Sequence, residues 1–403
     1  MDHILLIGIN HKNAPVEIRE IFSFGQEGTG LSLRELAKLP LVAEGALLST
    51  CNRTEFYLVS PEGTRSPQGY CRLLCRLLGV PWQQVRAYFY FQKGAAAVTH
   101  LFSVASGLDS MIKGESQILG QVKQALAAAR ESHAALSVIN KLFLGAIRTG
   151  KRARAETGIN QGFSSVSSAA VAFAVETLGT LCGKKVLLIG AGTAGTLALR
   201  AVVQAGAGKI YLANRTYEKA RILGKKYKVK SLHIEEVGAI LPEVDVVISS
   251  AAAPFHLITE SSLQAALPLR KPLLLIDLAV PRSIDPLIGH VEGATLYNID
   301  DLGATSGRFS QAYDEEKIYR IMEEEKLRFF QFLSTRKVVP LIKELKRQFE
   351  EIRTLSLSRI SLMYKLDDKE RRAFEKLYRK IMHQALHRII TGIKDINSGD
   401  SCP

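Results

Sequence analysis

Lys185-Val186-Leu187-Leu188-Ile189-Gly190-Ala191-Gly192-Thr193-Ala194-Gly195 is a short apolar run that breaks into G-x-G-x-x-G and leads into an apolar helical pattern over residues 197–205. Each glycine has a separate task in such a turn. Gly190 allows the tight bend, Gly192 lets a pyrophosphate approach the backbone, and Gly195 lets the helix pack on the strand. The helix start then offers free N–H groups and the positive end of its dipole to phosphate. A bare glycine fingerprint is weak; the flanking strand and helix are what make this one a dinucleotide site rather than a structural turn. Where an NAD site places an acid for the ribose 2′-hydroxyl, the next strand ends in Ala213-Asn214-Arg215-Thr216. Arg215 there can pair with a 2′-phosphate, which favours NADPH, the alternative being a solvated loop arginine. The candidate cofactor set is Gly190, Ala191, Gly192, Thr193, Ala194, Gly195, Asn214, Arg215 and Thr216.

Outward from this turn, short β-rich runs at 185–189, 209–213, 245–249, 273–277 and 295–297 alternate with helical patterns. That alternation predicts a parallel, doubly wound sheet, a Rossmann-type NADPH domain over residues 156–305. Residues 1–155 mix strand signals at 4–9, 45–50 and 55–59 with helical periodicity at 95–111, 117–132 and 138–155. This is an N-terminal α/β unit with linking helices, the place for substrate and catalysis. From about residue 306 to 403 strand signals vanish. A charged helix over 314–336, a second opened by Pro340 and a third over 367–394 are expected. Leu341, Leu345, Phe349, Ile352, Phe374, Leu377, Ile381, Leu386 and Ile389 form stripes that need a partner helix, so this all-helical domain predicts a homodimer. The fold class is therefore α/β multidomain with a helical C-terminal dimerisation domain.

At 403 residues, 47% hydrophobic and 23% charged, the chain has the composition of a soluble globular protein, with no apolar run of membrane-spanning length. Residues 1–9 lack a basic leader and read as a buried strand, not a signal peptide. Five scattered cysteines argue against a disulfide framework and for the cytoplasm. A net charge of +14 attracts polyanions: nucleic acid first, an anionic membrane surface second, a generic basic surface being the bland alternative. Residues 338–394 carry 14 Lys and Arg against 7 Asp and Glu, half of that excess.

A nucleotide fold does not choose a reaction. In the N-terminal unit the best candidate for chemistry is Cys51, after a β-run and two residues before Arg53, where a thiol can be exposed and its thiolate stabilised. Taken alone, a strand-end cysteine is more often a core residue. His100 is a candidate acid–base partner, set against an ordinary helix histidine. Gly114 interrupts a helical pattern and presents Glu115 and Gln117 in a loop suited to a polar ligand, or as a helix cap. Cys71 with Cys75, and His383 with His387, share helical faces without further ligands, and Asp300-Asp301 reads as a polar turn; no metal site is assigned.

The chain resembles the glutamyl-tRNA reductase family. The likeness runs through Gly8-Ile9-Asn10-His11-Lys12-Asn13-Ala14-Pro15-Val16, Leu48-Ser49-Thr50-Cys51-Asn52-Arg53-Thr54-Glu55 and Ala105-Ser106-Gly107-Leu108-Asp109-Ser110-Met111. It continues through Gln117-Ile118-Leu119-Gly120-Gln121-Val122-Lys123, the glycine turn with Ala213-Asn214-Arg215-Thr216, and Ile276-Asp277-Leu278-Ala279-Val280-Pro281-Arg282. The resemblance implies that Cys51 attacks the ester joining glutamate to its tRNA, and that NADPH reduces the resulting thioester to glutamate-1-semialdehyde, the first step of five-carbon tetrapyrrole (porphyrin, haem) synthesis. It implies Thr50, Asn52, Arg53, Ser110, Glu115, Ser116, Gln117 and Gln121 in substrate binding, His100 in support of activity, and transient contact with glutamate-1-semialdehyde aminotransferase. Ser116 stands where the family usually has proline, Lys113 where an apolar residue is usual, and Thr193-Ala194 replace a commoner Glu-Met type pair. Ser116 is expected to loosen the loop carrying Glu115. Two other readings compete: a small-molecule dehydrogenase of the shikimate-dehydrogenase type, and a basic RNA-binding or regulatory protein whose nucleotide fold only senses cofactor.

Overall fold

A computed structural model describes residues 4–24, 26–61, 67–160, 165–264, 272–305, 313–364 and 367–398. The N-terminal sheet has four antiparallel strands in the order β2 (Glu44–Ser49), β3 (Arg53–Val59), β1 (Ile4–Asn10) and β4 (Tyr90–Lys93). β1 and β3 are buried along their whole length; β1 is almost wholly apolar, whereas β3 buries Arg53 and Glu55 as an ion pair. In their register Gly8 faces Glu55, and a Cβ at position 8 would come within 2.9 Å of the Glu55 Cγ. Glycine at this point makes room for a buried carboxylate. Helices Ala95–Ser106, Gln117–Glu131 and Ser137–Glu156 bury their apolar faces beside this sheet.

The second sheet holds six parallel strands: β10 (Ala294–Asn298), β9 (Leu273–Asp277), β8 (Val246–Ser249), β5 (Lys185–Ile189), β6 (Lys209–Asn214) and β7 (Lys230–His233). From the β7 edge this is the doubly wound order of a Rossmann fold. Helices Val166–Leu178 and Thr193–Gln204 share one apolar core with Val186, Leu188 and Ile248, while Leu187, Ile189 and Val247 face a second core on the other side. The sequence reading recovers the other five strands of this sheet and misses β7, where Leu232 is the one apolar residue of an edge strand.

The chain divides after Glu323 into two compact units. Beyond the division the helices are Glu315–Tyr364, which starts just before it, and Asp368–Ser398. Pro340 does not open a helix as expected; the backbone stays helical through it. A proline removes one backbone donor, and a 50-residue helix carries across that loss. Ile352, Leu355, Phe374, Leu377, Ile381 and Ile389 remain exposed in this unit, and Arg353 reaches Glu375 on the second helix at 2.8 Å. No helix among the described residues is long and apolar enough to cross a membrane.

Candidate active site

Cys51 stands at the tip of the β2–β3 hairpin. Thr50 builds the turn: its N–H donates to the Arg53 carbonyl at 2.8 Å, and its hydroxyl accepts from the N–H groups of Asn52 and Arg53, both at 3.1 Å. Cys51 keeps some solvent-facing surface, yet its side chain packs against the core that also holds Met111. Burial pushes the thiol up to about 12; the Glu115 carboxylate adds to the rise, while Arg19 and Arg53 oppose it. This corrects the expectation of an exposed, stabilised thiolate. The reason is burial of the sulfur, reinforced by Glu115, which together outweigh the lowering by Arg19 and Arg53.

The Arg53 guanidinium is almost wholly buried. Its Nη1 donates to Glu55 Oε1 at 2.6 Å and Asp109 Oδ2 at 2.9 Å, and its Nη2 to the Asp109 carbonyl at 2.5 Å. Glu55 is the hub of this network. Tyr57 donates to its Oε2 at 2.6 Å and Tyr90 to its Oε1 at 2.5 Å, and His100 Nε2 lies 2.9 Å from Oε1. Arg53 and His100 hold the Glu55 carboxyl far below the usual carboxylate range against the opposing effect of burial. Asp109 also pairs with Lys12. Thus Arg53 and His100 come together around Glu55, a carboxylate to which the sequence reading gave no role of its own.

The loop before helix Gln117–Glu131 closes on itself through the Gly114 N–H, which donates to the Gly107 carbonyl at 3.1 Å. Arg154 clamps it from outside, donating to the carbonyls of Ala105 at 2.9 Å, Gly150 at 2.7 Å and Glu115 at 2.8 Å. Any Cβ at Gly114 would meet the Ile159 carbonyl oxygen at 1.8 Å, so only glycine fits there. These contacts hold the Glu115 backbone without a proline at 116. The Glu115 side chain is buried rather than presented to solvent, and burial raises its carboxyl to about 7 against Arg53 and Arg154. Gln117 and Gln121 lie one turn apart on the helix, half-buried, whereas Ser116 is exposed. Asn52 Oδ1, Ser110 Oγ and His11 Nδ1 are buried polar atoms without a hydrogen-bond partner.

At the glycine turn the three roles separate cleanly. Gly190 has φ +110°, a Cβ on Gly195 would stand 1.9 Å from the Gly190 carbonyl oxygen, and space above Gly192 is open. Asn214 Oδ1 accepts from the Ala191 N–H at 3.0 Å, bracing the turn from the neighbouring strand. A cleft of about 230 Å³ is lined by Gly190, Gly192, Asn214, Arg215 and Thr216, together with Lys219, a second cation that sequence reasoning missed. Ala191, Thr193, Ala194 and Gly195 supply the turn and the helix start behind it. These residues fit a phosphorylated dinucleotide: open backbone at Gly192 and two cations at the strand end.

Arg19, also unmarked by the sequence, ties the Cys51 hairpin to the helix that follows β10. It is buried, its Nε donates to the Cys51 carbonyl at 3.2 Å, and its Nη2 lies 2.7 Å from Asp300 at the head of helix Ile299–Thr305. Arg282 adds contacts to Glu20 at 2.7 Å and Glu17 at 2.8 Å. Asp300 is thus an interface residue, not merely the polar turn expected. Among the described residues no group of three or more His, Cys, Asp or Glu side chains could hold a metal.

A Rossmann domain with an open glycine turn, joined by ion pairs of Arg19 and Arg282 to an α/β unit bearing a cysteine beside carboxylates, defines a dinucleotide-dependent oxidoreductase. Residues 7–157 match the family described as Glutamyl-tRNAGlu reductase, N-terminal domain; residues 172–305 match Shikimate / quinate 5-dehydrogenase; and residues 317–402 match Glutamyl-tRNAGlu reductase, dimerisation domain. The glutamyl-tRNA reductase of Syntrophotalea carbinolica is 38% identical over 401 residues, covering 97% of this chain and 90% of that one. That of Desulfatibacillum aliphaticivorans is 36% identical over 396 residues, covering 97% and 91%. The solved glutamyl-tRNA reductase from Methanopyrus kandleri aligns over 100% of both chains at 28% identity, with a TM-score of 0.49. The chain belongs to the glutamyl-tRNA reductase family.

Proposed function

We propose that this chain reduces glutamyl-tRNA to glutamate-1-semialdehyde with NADPH, releasing the tRNA, through a thioester on Cys51. The observation that carries the reading is the full-length match to glutamyl-tRNA reductases at 38% identity. The stretch Thr50-Cys51-Asn52-Arg53 falls at a hairpin tip beside the buried carboxylate Glu115, which supports the role given to the thiol.

A thiol raised to about 12 needs a proton acceptor before it attacks. Glu115, raised by burial to about 7, takes that proton in its ionised form. The sulfur adds to the ester carbonyl, the C–O bond to the terminal ribose breaks, and Glu115 returns its proton to the departing oxygen. NADPH, when bound in the glycine-turn cleft, supplies the hydride. After reduction the C–S bond breaks, releasing the aldehyde and a Cys51 thiolate that takes up a proton from water. Thr50, Asn52, Ser110, Ser116, Gln117 and Gln121 bind the glutamyl group. Arg53, through Asp109 and Glu55, and His100 hold the pocket's charge balance, while Arg215 and Lys219 receive the 2′-phosphate.

In this reading residues 1–155 handle substrate, 156–305 hold cofactor and 306–403 form a homodimer through the exposed apolar stripe of the two long helices. The free cysteines and the tRNA substrate fit the cytoplasm, and the reactive aldehyde fits handover to a contacting glutamate-1-semialdehyde aminotransferase. The match of residues 172–305 to shikimate and quinate dehydrogenases favours a second reading as a small-molecule dehydrogenase. Incubation with NADPH and glutamyl-tRNA, beside free glutamate with uncharged tRNA and beside shikimate, separates the two. Aldehyde from the charged tRNA alone, lost in Cys51→Ser with NADPH affinity unchanged, is the expected result. Full activity of Cys51→Ser refutes the thioester, and turnover of shikimate favours the second reading.

A further inference from the structure

We propose that His11 is a substrate-contacting residue whose Nδ1 accepts a hydrogen bond from the α-ammonium group of the bound glutamyl ester. The inference rests on the reaction proposed above and adds a recognition element to the same site. His11 follows β1 directly, and its backbone N–H donates to the Asn52 carbonyl at 2.9 Å, which seats it against the Cys51 hairpin. Its side chain lines a cavity of about 510 Å³ with Lys12, Met111 and Asp300.

Three of the polar atoms left over here can accept a hydrogen bond; a fourth, Arg154 Nε behind Glu115, donates. His11 Nδ1, Asn52 Oδ1 and Ser110 Oγ are buried and unpartnered, and buried polar atoms in folded proteins rarely stay so without a ligand or water. The Asn52 oxygen only accepts, and the serine oxygen accepts readily. Burial, with Arg53 as the largest electrostatic contribution, lowers the His11 imidazole to about 4, so at neutral pH one ring nitrogen offers a lone pair. The local cations are already engaged: Arg53 with Glu55 and Asp109, Lys12 with Asp109. Unused acceptors on His11, Asn52 and Ser110, with the carboxylate of Glu115 near the Cys51 hairpin, suit a positively charged donor. A free α-ammonium is that donor, and the γ-carboxylate is not.

The test uses the full-length protein with two tRNA esters, glutamyl-tRNA and glutaryl-tRNA, which has the same chain without the amino group. Wild type, His11→Ala and His11→Asn are compared, with NADPH affinity as the check on folding. The wild type prefers the glutamyl ester. His11→Ala raises KM for glutamyl-tRNA about tenfold, the weight of one hydrogen bond to a charged group, and leaves glutaryl-tRNA unchanged. His11→Asn, whose amide oxygen can occupy the Nδ1 position, restores most of the preference. Equal loss on both esters, or no loss on either, overturns the assignment while leaving the reaction standing. A wild type inactive on glutamyl-tRNA overturns the reaction and this inference with it.

Discussion

Arg19 and Asp300 lie 2.7 Å apart, and the same guanidinium reaches the Cys51 carbonyl at 3.2 Å. One buried side chain therefore spans from the nucleophile hairpin to the helix that follows the last strand of the nucleotide sheet. Val16 strengthens the joint, its N–H donating to Asp300 Oδ2 at 3.1 Å. A sulfur that must present an acyl group to a cofactor bound on another domain needs such a fixed connection.

Asp300→Asn keeps the shape of this joint and removes its charge. A hydrogen bond to a charged partner contributes about 2 kcal/mol, so unfolding stability falls by that order. Hydride transfer in a single turnover slows while NADPH affinity holds. Urea titration and rapid-quench measurement of the aldehyde report the two effects, and a variant matching wild type in both would show that the joint is incidental.

Glu55 gives the fold a pH signature. Its folded pKa is depressed, so the stability it contributes is present above the ordinary value of 4.5 and is lost as pH falls toward the folded value. Between pH 5 and 3 the wild type loses about 2 kcal/mol through this group. Glu55→Gln lacks that loss, but leaves Arg53 with Asp109 as its one carboxylate partner and is less stable at pH 7 by about 3 kcal/mol. Urea midpoints at the two pH values decide; parallel pH profiles for the two proteins would refute the assignment.

The thiol of the free protein is predominantly protonated. With Cys51 near 12, roughly one thiol in 100,000 is ionised at pH 7. Iodoacetamide therefore modifies Cys51 slowly, and faster as pH rises. Glu115 is charged above its value of about 7, and its charge raises the thiol, so Glu115→Gln lowers the Cys51 pKa and speeds alkylation at pH 8.5 by about tenfold. In turnover the same variant is slow, having no proton acceptor. Unchanged alkylation would separate the two groups electrostatically; unchanged turnover would remove Glu115 from the proton transfer.

What the sequence made legible was local. The glycine turn, the parallel strands and the helical tail each announce themselves within about twenty residues, through periodicity and turn chemistry. The edge strands β4 and β7 escaped because Tyr90-Phe91-Gln92-Lys93 and Lys230-Ser231-Leu232-His233 are short and half polar. The site's supporting residues escaped for another reason. Arg19 meets Asp300 281 positions away, and Arg53 meets Asp109 56 positions away, so neither has a local pattern to betray it. The ionisation of Cys51 is non-local in the same way: burial raises the thiol most and Glu115, distant in sequence, adds to the rise, outweighing the lowering by Arg53 two residues on. Pro340 was ambiguous in principle, because an interior proline in a long helix and one at a helix start leave the same local trace.

Arg215 supplies the sharpest test of cofactor choice. It lines the cleft at the end of β6 with Lys219 and has no carboxylate beside it in Ala213-Asn214-Arg215-Thr216. A 2′-phosphate gains a charge-assisted contact there that a 2′-hydroxyl does not, and such contacts contribute about 1.5–3 kcal/mol. Arg215→Ala therefore raises KM for NADPH by about tenfold or more and leaves NADH nearly unchanged. Lys219→Ala adds to the loss, because each cation faces the same phosphate. Since Arg215 is exposed, the difference between the two cofactors shrinks as salt is raised. Steady-state kinetics with both cofactors at two ionic strengths checks all three statements. An equal loss on NADPH and NADH would mean that Arg215 shapes the turn and does not read the phosphate, and the cofactor preference would then have to come from Lys219 alone.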